Sequence, residues 1–525
     1  MKRLVWLALL VATPALAKPA KEPTKATAVA PPVASAPAAP KPPTEEERAE
    51  VFKDYTYESG TGQKARAADA LVAIVDDPAK AVYHADAYAK LGDLLAGMDL
   101  PYAALCAYVR AYEAAGDADL DIVGPSVPKA IALAGRVGDT ALLEAPFSKN
   151  LGLARTEDVR GLMAYLAARE AFRNDSLGLA SSMLKVVKEG DPFNPEARML
   201  EAVILNRQGR ADDALKPLEK AQKAARDKGD RFQAMVTLNT ARTFYGGGNF
   251  ARAIQYYAAV PRASELWPEA QYERAWAHFR VEDLNGALSV LYSLHTPFFA
   301  DWYLPEADLL RIYSMFLMCK FPEADKEIGA FRAYWAPIHA DLKAWGGKSD
   351  RENFDLVRTY LDTGDTGPLP KMILRPWGDE ERIVAAITAY ESAEDEMKRM
   401  KGAAANPFTE KAKEWVQARM DELVKDEGSR IRERIAAQEE QVGQMLADTE
   451  IFGLDILRMK TQLFEQAANI GKMPTAERNV KREDRLRKGW REWPFEGEIW
   501  ADELGYYRVT AEPECPASMR KESLD

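Results

Sequence analysis

The stretch PEARMLEAVILNRQGRADDAL, residues 195–215, opens on Pro-Glu-Ala, a triplet that returns at Pro268-Glu269-Ala270 and Pro305-Glu306-Ala307. Nineteen residues after each proline stands another alanine: Ala214, Ala287 and Ala324. Proline suits the first position of a helix, where its missing N–H has no partner to lose, and a small residue one helix later lets a second helix approach closely. A fixed separation that recurs with a period in the thirties predicts stacked helical hairpins.

The pattern extends in both directions. HADAYAKLGDLLAGMDLPYAALCAYVRAYEA, residues 84–114, places Tyr88, Leu91, Gly92 and Leu95 on one helical face, then Ala104, Tyr108 and Ala111 on the next. Matching second-helix sets follow: Ala180, Leu184 and Val187; Ala214, Leu218 and Ala221; Ala253, Tyr257 and Val260; Ala287, Leu291 and Leu294; Ala324, Ile328 and Phe331. Successive leading alanines from Ala180 onward are 34, 39, 34 and 37 residues apart. In the first helices Ala168, Ala202, Ala241 and Ala275 fall where Gly92 does, and the unit from Pro128 to Pro146, turning at Gly138, is degenerate. Over about residues 85–340 the chain resembles the tetratricopeptide repeat, or TPR, family, whose period is 34 residues. The resemblance implies a right-handed α-solenoid of helix pairs whose first helices line a concave groove.

Composition sets the frame for this array. The chain has 525 residues, 47% hydrophobic and 29% charged, with a formal net charge of −11, so it can bury a large core and lacks the cationic surplus of a nucleic-acid binder. Lys2 and Arg3 precede a short apolar run that ends in Ala15-Leu16-Ala17, which reads as a secretory signal peptide over residues 1–17. No cysteine precedes Cys106, so no lipid anchor is expected, and no segment has the length and apolarity of a transmembrane helix. The expected location is the periplasm or cell envelope. Residues 18–43, almost wholly Pro, Ala, Lys, Thr and Val, form an extended linker. Cys106, Cys319 and Cys515 allow one disulfide of unspecified pairing, with at least one thiol left over.

Helical order is expected from Thr44-Glu45-Glu46-Glu47, a capping box that opens the array over residues 44–340. Residues 341–378 contain DTGDTGPLP and read as a connector, and residues 379–470 as long charged helices. Within these, Val424, Ile431, Ile435, Val442, Met445, Phe452, Ile456, Met459 and Leu463 keep an alternating four-three spacing interrupted at Gly428, Gln438 and Thr449. This is a heptad seam, to be covered by the chain's own helices as a hairpin or by a second copy as a coiled coil. Residues 471–525 set Lys481, Arg482, Arg485, Arg487, Lys488 and Arg491 beside Trp490, Trp493, Phe495, Trp500, Tyr506 and Tyr507. These aromatics either cap the array or form a partner-binding or glycan-stacking patch.

Signals for chemistry are weak. Gly347-Lys348-Ser349 ends like a phosphate-binding loop, but the glycine required five residues earlier is Leu342. Glu391-Ser392 resembles the Glu-Ser segment of lytic transglycosylases, in which the glutamate is the acid/base, but the accompanying Gly-Leu-Met-Gln and Ala-Tyr-Asn-Gly segments have no counterpart. Three cysteines and four histidines show no metal-ligand spacing, and neither an enzyme nor a cofactor is expected.

If the first helices line a groove, one face of them carries Tyr165, Arg169, Phe172 and Arg173; Asn206 and Arg207; Arg242 and Tyr245; Tyr272, Trp276, Phe279 and Arg280; and Tyr313 and Phe316. Aromatic and arginine residues dominate binding energy at interfaces, so the groove predicts an extended or helical protein ligand with acidic and apolar residues. The whole reads as a non-catalytic scaffold for partner proteins of a cell-envelope machine; in families of this type those machines serve outer-membrane assembly, secretion, motility and cell-wall synthesis. The alternative is a cell-wall factor that binds or cleaves peptidoglycan through Trp490, Trp493, Trp500, Tyr506 and Tyr507.

Overall fold

The structure is a computed structural model that describes residues 43–154, 157–224, 228–402, 405–470 and 499–515. The expected signal peptide, most of the linker, the basic run, Trp490, Trp493 and Phe495 lie outside the described residues. Among the described residues the chain is helical throughout, without a β-strand, and none of its helices is long and apolar enough to cross a membrane. It is a helical, repeat-like protein.

The helices are α1 (Glu45–Val51), α2 (Lys53–Gly60), α3 (Lys64–Val75), α4 (His84–Gly97), α5 (Pro101–Ala114), α6 (Val127–Val137), α7 (Glu144–Lys149), α8 (Glu157–Arg173), α9 (Leu177–Leu184) and α10 (Asn194–Arg207). There follow α11 (Ala211–Ala224), α12 (Asp230–Gly246), α13 (Phe250–Ala258), α14 (Trp267–Arg280), α15 (Leu284–Leu294), α16 (Pro305–Leu317) and α17 (Phe321–Trp345). The last are α18 (Asp350–Thr363), α19 (Lys371–Gly378), α20 (Glu381–Lys401) and α21 (Pro407–Ile470). Thr44 begins α1 with the expected capping box, and Pro195, Pro268 and Pro305 lie in the first turns of α10, α14 and α16.

One local device builds the hairpins. From α4 to α17, six helix pairs are joined by three residues, and in each the middle residue is left-handed: Asp99, Asp175, Gly209, Gly248, Glu282 and Cys319. In five of them the residue after it donates its N–H five residues back, as Leu100 does to Leu95, Ser176 to Ala171, Asn249 to Phe244, Asp283 to His278 and Lys320 to Met315. This turn satisfies carbonyls that a helix end otherwise leaves open. Five residues beyond each left-handed position stands the leading alanine of the second helix, and every member of the six second-helix sets is buried. Gly138 is left-handed as well, so the degenerate unit keeps the turn.

Close approach follows from small residues. A side-chain carbon added at Gly92 would lie 2.6 Å from the Tyr108 ring, and Ala168, Ala202, Ala241 and Ala275 are all buried. Many helices consecutive in the chain pack on one another, among them α4 and α5, α8 and α9, and α14 and α15, and α14 also touches α16, the first helix of the next pair. Neighbouring pairs such as α14–α15 and α16–α17 thus share an apolar interior.

The chain divides into two compact units. The first contains residues up to Gln208 together with Glu380–Gly428, and the second Gly209–Asp379 with Ser429–Asp525. Each joins an array of hairpins to a segment from far along the chain, and α21 contributes to both. The interval expected as a connector contains α18 and α19, with Ser349 capping α18.

Candidate functional site

In the first unit the closing segment is held by buried charge. Helix α5 starts after Leu100, which has no side-chain acceptor, so its free amides are satisfied remotely. Tyr102 and Ala103 donate their N–H groups to the Glu396 carboxylate of α20 at 2.8 and 2.9 Å. Glu396 is itself buried, and burial raises its pKa against the pull of these two amides. Beside it the Arg419 guanidinium of α21 grips Asp139 through Nε and Nη2, at 2.8 and 3.0 Å, and the Tyr102 hydroxyl donates to the same carboxylate at 2.7 Å. Trp415 fits between Tyr88 and Arg110, and Phe408 donates its amide to Asp69.

The candidate groove residues of this unit sit on α8 and α10. Arg169 lies over the Tyr165 ring and 3.3 Å from the buried Glu144, which Arg173 also engages. Tyr165 stacks on Phe193, and burial pushes its hydroxyl up to about 12. Arg207 lies over Phe172 and 3.5 Å from Asp175, while Asn206 is half-buried on the same helix. Two of the three expected cations therefore neutralise Glu144, a carboxylate that sequence inspection did not single out.

In the second unit the remaining candidates lie on α12, α14 and α16. Arg242 is clamped by Glu273 at 2.6–3.0 Å and by Glu269 at 2.6 Å. Tyr245 packs on Phe250, over whose ring Arg280 also lies. Trp276 is only 5% exposed and meets the edge of Phe279, and burial raises the Tyr272 hydroxyl well above its ordinary value. Tyr313 and Phe316 both pack on Phe452 of α21. The α16 end of the expected groove is thus occupied by the chain's own long helix.

That helix buries most of the expected seam within the chain, with Met459 half-buried and the Leu463 side chain outside the described residues. Val424 and Ile431 through Ile456 are buried, and so are the interruptions Gln438 and Thr449. Gly443 lets α21 approach His339 of α17, whose ring meets Glu439 at 3.0 Å. Gln441 donates to Glu306 of α16, whose carboxyl burial pushes up to about 7. On the opposite side of α21, Ile451, Leu454 and Leu457 are 61%, 68% and 61% exposed.

The described part of the C-terminal segment, residues 499–515, is tied to α15 and to the turn between α16 and α17. Cys515 is disulfide-bonded to Cys319, while Cys106 is a free buried thiol whose pKa burial raises to about 12. Tyr507 meets the ring of Tyr292, while Trp500 and Tyr506 are exposed. Sequence inspection missed Glu396, Asp139 and Arg419. It also missed Asn285, Ser289 and Ser293, although their spacing of four makes a polar stripe on an otherwise apolar helix.

Ser349 accepts from Glu352 and Lys348 reaches the same glutamate at 2.9 Å, so Gly-Lys-Ser opens α18 as a helix cap. Glu391 is half-buried on α20. Among the described residues no group of three or more His, Cys, Asp or Glu is placed to hold a metal ion. No protein-family model matches the chain, and comparison with curated proteins returned no match.

Proposed function

We propose that this chain is an exported, non-catalytic scaffold of the cell envelope, with a tetratricopeptide-like solenoid as its frame. The repeated three-residue turn with an alanine five positions on supports the solenoid reading. The Cys319–Cys515 bond supports an oxidising compartment such as the periplasm, because structural disulfides persist there and not in the cytosol. Arg169, Arg173, Arg207 and Arg242 meet intrachain carboxylates and Arg280 lies over Phe250, so the docking role shifts to the outer face of α21.

The observation that carries this reading is the strip Ile451, Leu454 and Leu457. Large apolar side chains in one row at turn spacing, all more than half exposed, lower the free energy of a partner that covers them. A protein partner with an apolar helix face fits such a row. The test is a photoreactive residue at Leu454 in the chain exported to the periplasm of its host. One discrete envelope protein should be crosslinked, and lost in Ile451→Asp/Leu457→Asp with the melting temperature unchanged. Crosslinks confined to the chain itself would reject the reading.

A second reading, peptidoglycan contact, rests on the exposed rings of Trp500 and Tyr506. Retention on insoluble peptidoglycan that is lost in Trp500→Ala would favour it over protein docking.

A further inference from the structure

The segment 499–515 lies on α15 as a ligand would. Gly505 donates its N–H to Ser293 at 2.8 Å, and Val509 donates to Ser289 at 2.8 Å. Asn285 does two things at once: its Oδ1 accepts from the Ala511 N–H at 2.9 Å and its Nδ2 donates to the Ala511 carbonyl at 3.0 Å. A side-chain amide can pair with both main-chain groups of one residue in this way. Asn285, Ser289 and Ser293 are four residues apart, so they form one stripe on α15. The residues they read, 505, 509 and 511, are spaced by even numbers, as an extended chain requires.

Side-chain recognition is confined to a few positions. Leu504 is buried in the cluster of Leu238, Phe244, Tyr257 and Trp267, and Tyr507 packs against that cluster and on Tyr292. Gly505 is left-handed, and a side-chain carbon there would lie 3.0 Å from Trp267. Tyr506, Arg508 and Thr510 point outward and are exposed. At the far end Glu514 donates its N–H to the Met318 carbonyl, and Cys515 is fixed to Cys319, the left-handed residue of the turn between α16 and α17.

We propose that the Asn285-Ser289-Ser293 face of α15 is a docking surface for an extended polypeptide segment, that residues 499–515 are its resident intramolecular occupant, and that the Cys319–Cys515 bond keeps a segment of another protein out. The fitting partner carries a leucine followed directly by glycine, then an aromatic two residues on and a small or β-branched residue at alternate positions after that. Most of the recognition is main-chain, so the surface tolerates change at the outward positions. The covalent bond holds the resident segment at high effective concentration, and without it a free segment competes at roughly millimolar levels. This surface is distinct from the α21 strip and does not depend on it.

The test uses the full chain and a labelled synthetic peptide of residues 499–511, which stops short of Cys515. The oxidised chain should not bind it, whereas Cys515→Ser should, with exchange of the Val509 and Ala511 amides raised about tenfold or more. Adding Asn285→Ala to that variant should weaken the peptide about tenfold while the melting temperature holds. Asn285→Ala alone, with the disulfide intact, should speed exchange at Ala511, so the surface is tested even if Cys515→Ser folds poorly. Equal binding to the oxidised chain would overturn the role of the bond. No binding to a folded Cys515→Ser chain whose segment exchanges freely would overturn the surface.

Discussion

The two units close their hairpin arrays with remote segments by different means. In the first, α20 and α21 are held where carboxylates meet amides and a guanidinium: Glu396 at the start of α5, and Arg419 on Asp139 and Tyr102. In the second, α21 is held by rings and a buried seam, and residues 499–515 by a disulfide. Buried charge is demanding of geometry, and losing one partner is costly because the other stays uncompensated; ring packing and a covalent bond tolerate small displacements. The first unit should therefore fail sharply on single polar substitutions, and the second by degrees.

The largest expected effect breaks the first unit alone. Arg419→Ala leaves Asp139 buried without its cation and should cost about 3–5 kcal/mol, read as lost hydrogen-exchange protection in α4 to α6 while α14 and α15 keep theirs. Next comes Cys515→Ser, expected to cost about 2–4 kcal/mol and confined to the second unit, measured by urea unfolding with and without reductant.

A pH titration sharpens the contrast. Burial raises the Glu306 carboxyl to about 7, so between its unfolded value near 4.5 and 7 the unfolded chain is ionised while the folded chain keeps its proton. Stability of the second unit should fall across that window, by about 2 kcal/mol at most after allowance for partial exposure, and level off above it. Glu306→Gln should flatten the curve of melting temperature against pH. The smallest effects lie in the turns. Glu282→Gly relieves a left-handed glutamate and should stabilise by up to about 1 kcal/mol, while Gly248→Ala should cost about as much, both by thermal unfolding.

Those turns show how far the fold was legible. Alanines and their companions on the second helices could be found because helical periodicity is local, and all of them are buried. Glycine signals the turn at Gly138, which the sequence reading named, and at Gly209 and Gly248; Asp99, Asp175, Glu282 and Cys319 adopt the same conformation without the residue type that signals it. The candidate arginines could be placed on one face of their helices, but Glu144, Glu269 and Glu273 reach them from neighbouring turns and helices that the period does not register. Glu396 was hidden for a different reason: its partners are Tyr102 and Ala103, and no local pattern links positions so far apart. The pairing of Cys319 with Cys515 was equally beyond periodicity, since it depends on where residues 499–515 run along α15.

The central claim, that each array is closed by a segment from far along the same chain, is tested most directly at α5. Hydrogen exchange of residues 101–114 would be compared in the native chain and in Glu396→Ala. Exchange should be faster at Tyr102, Ala103 and the first turn of α5, because two buried amides lose their acceptor at about 1–3 kcal/mol each. Unchanged protection of that turn would contradict the claim.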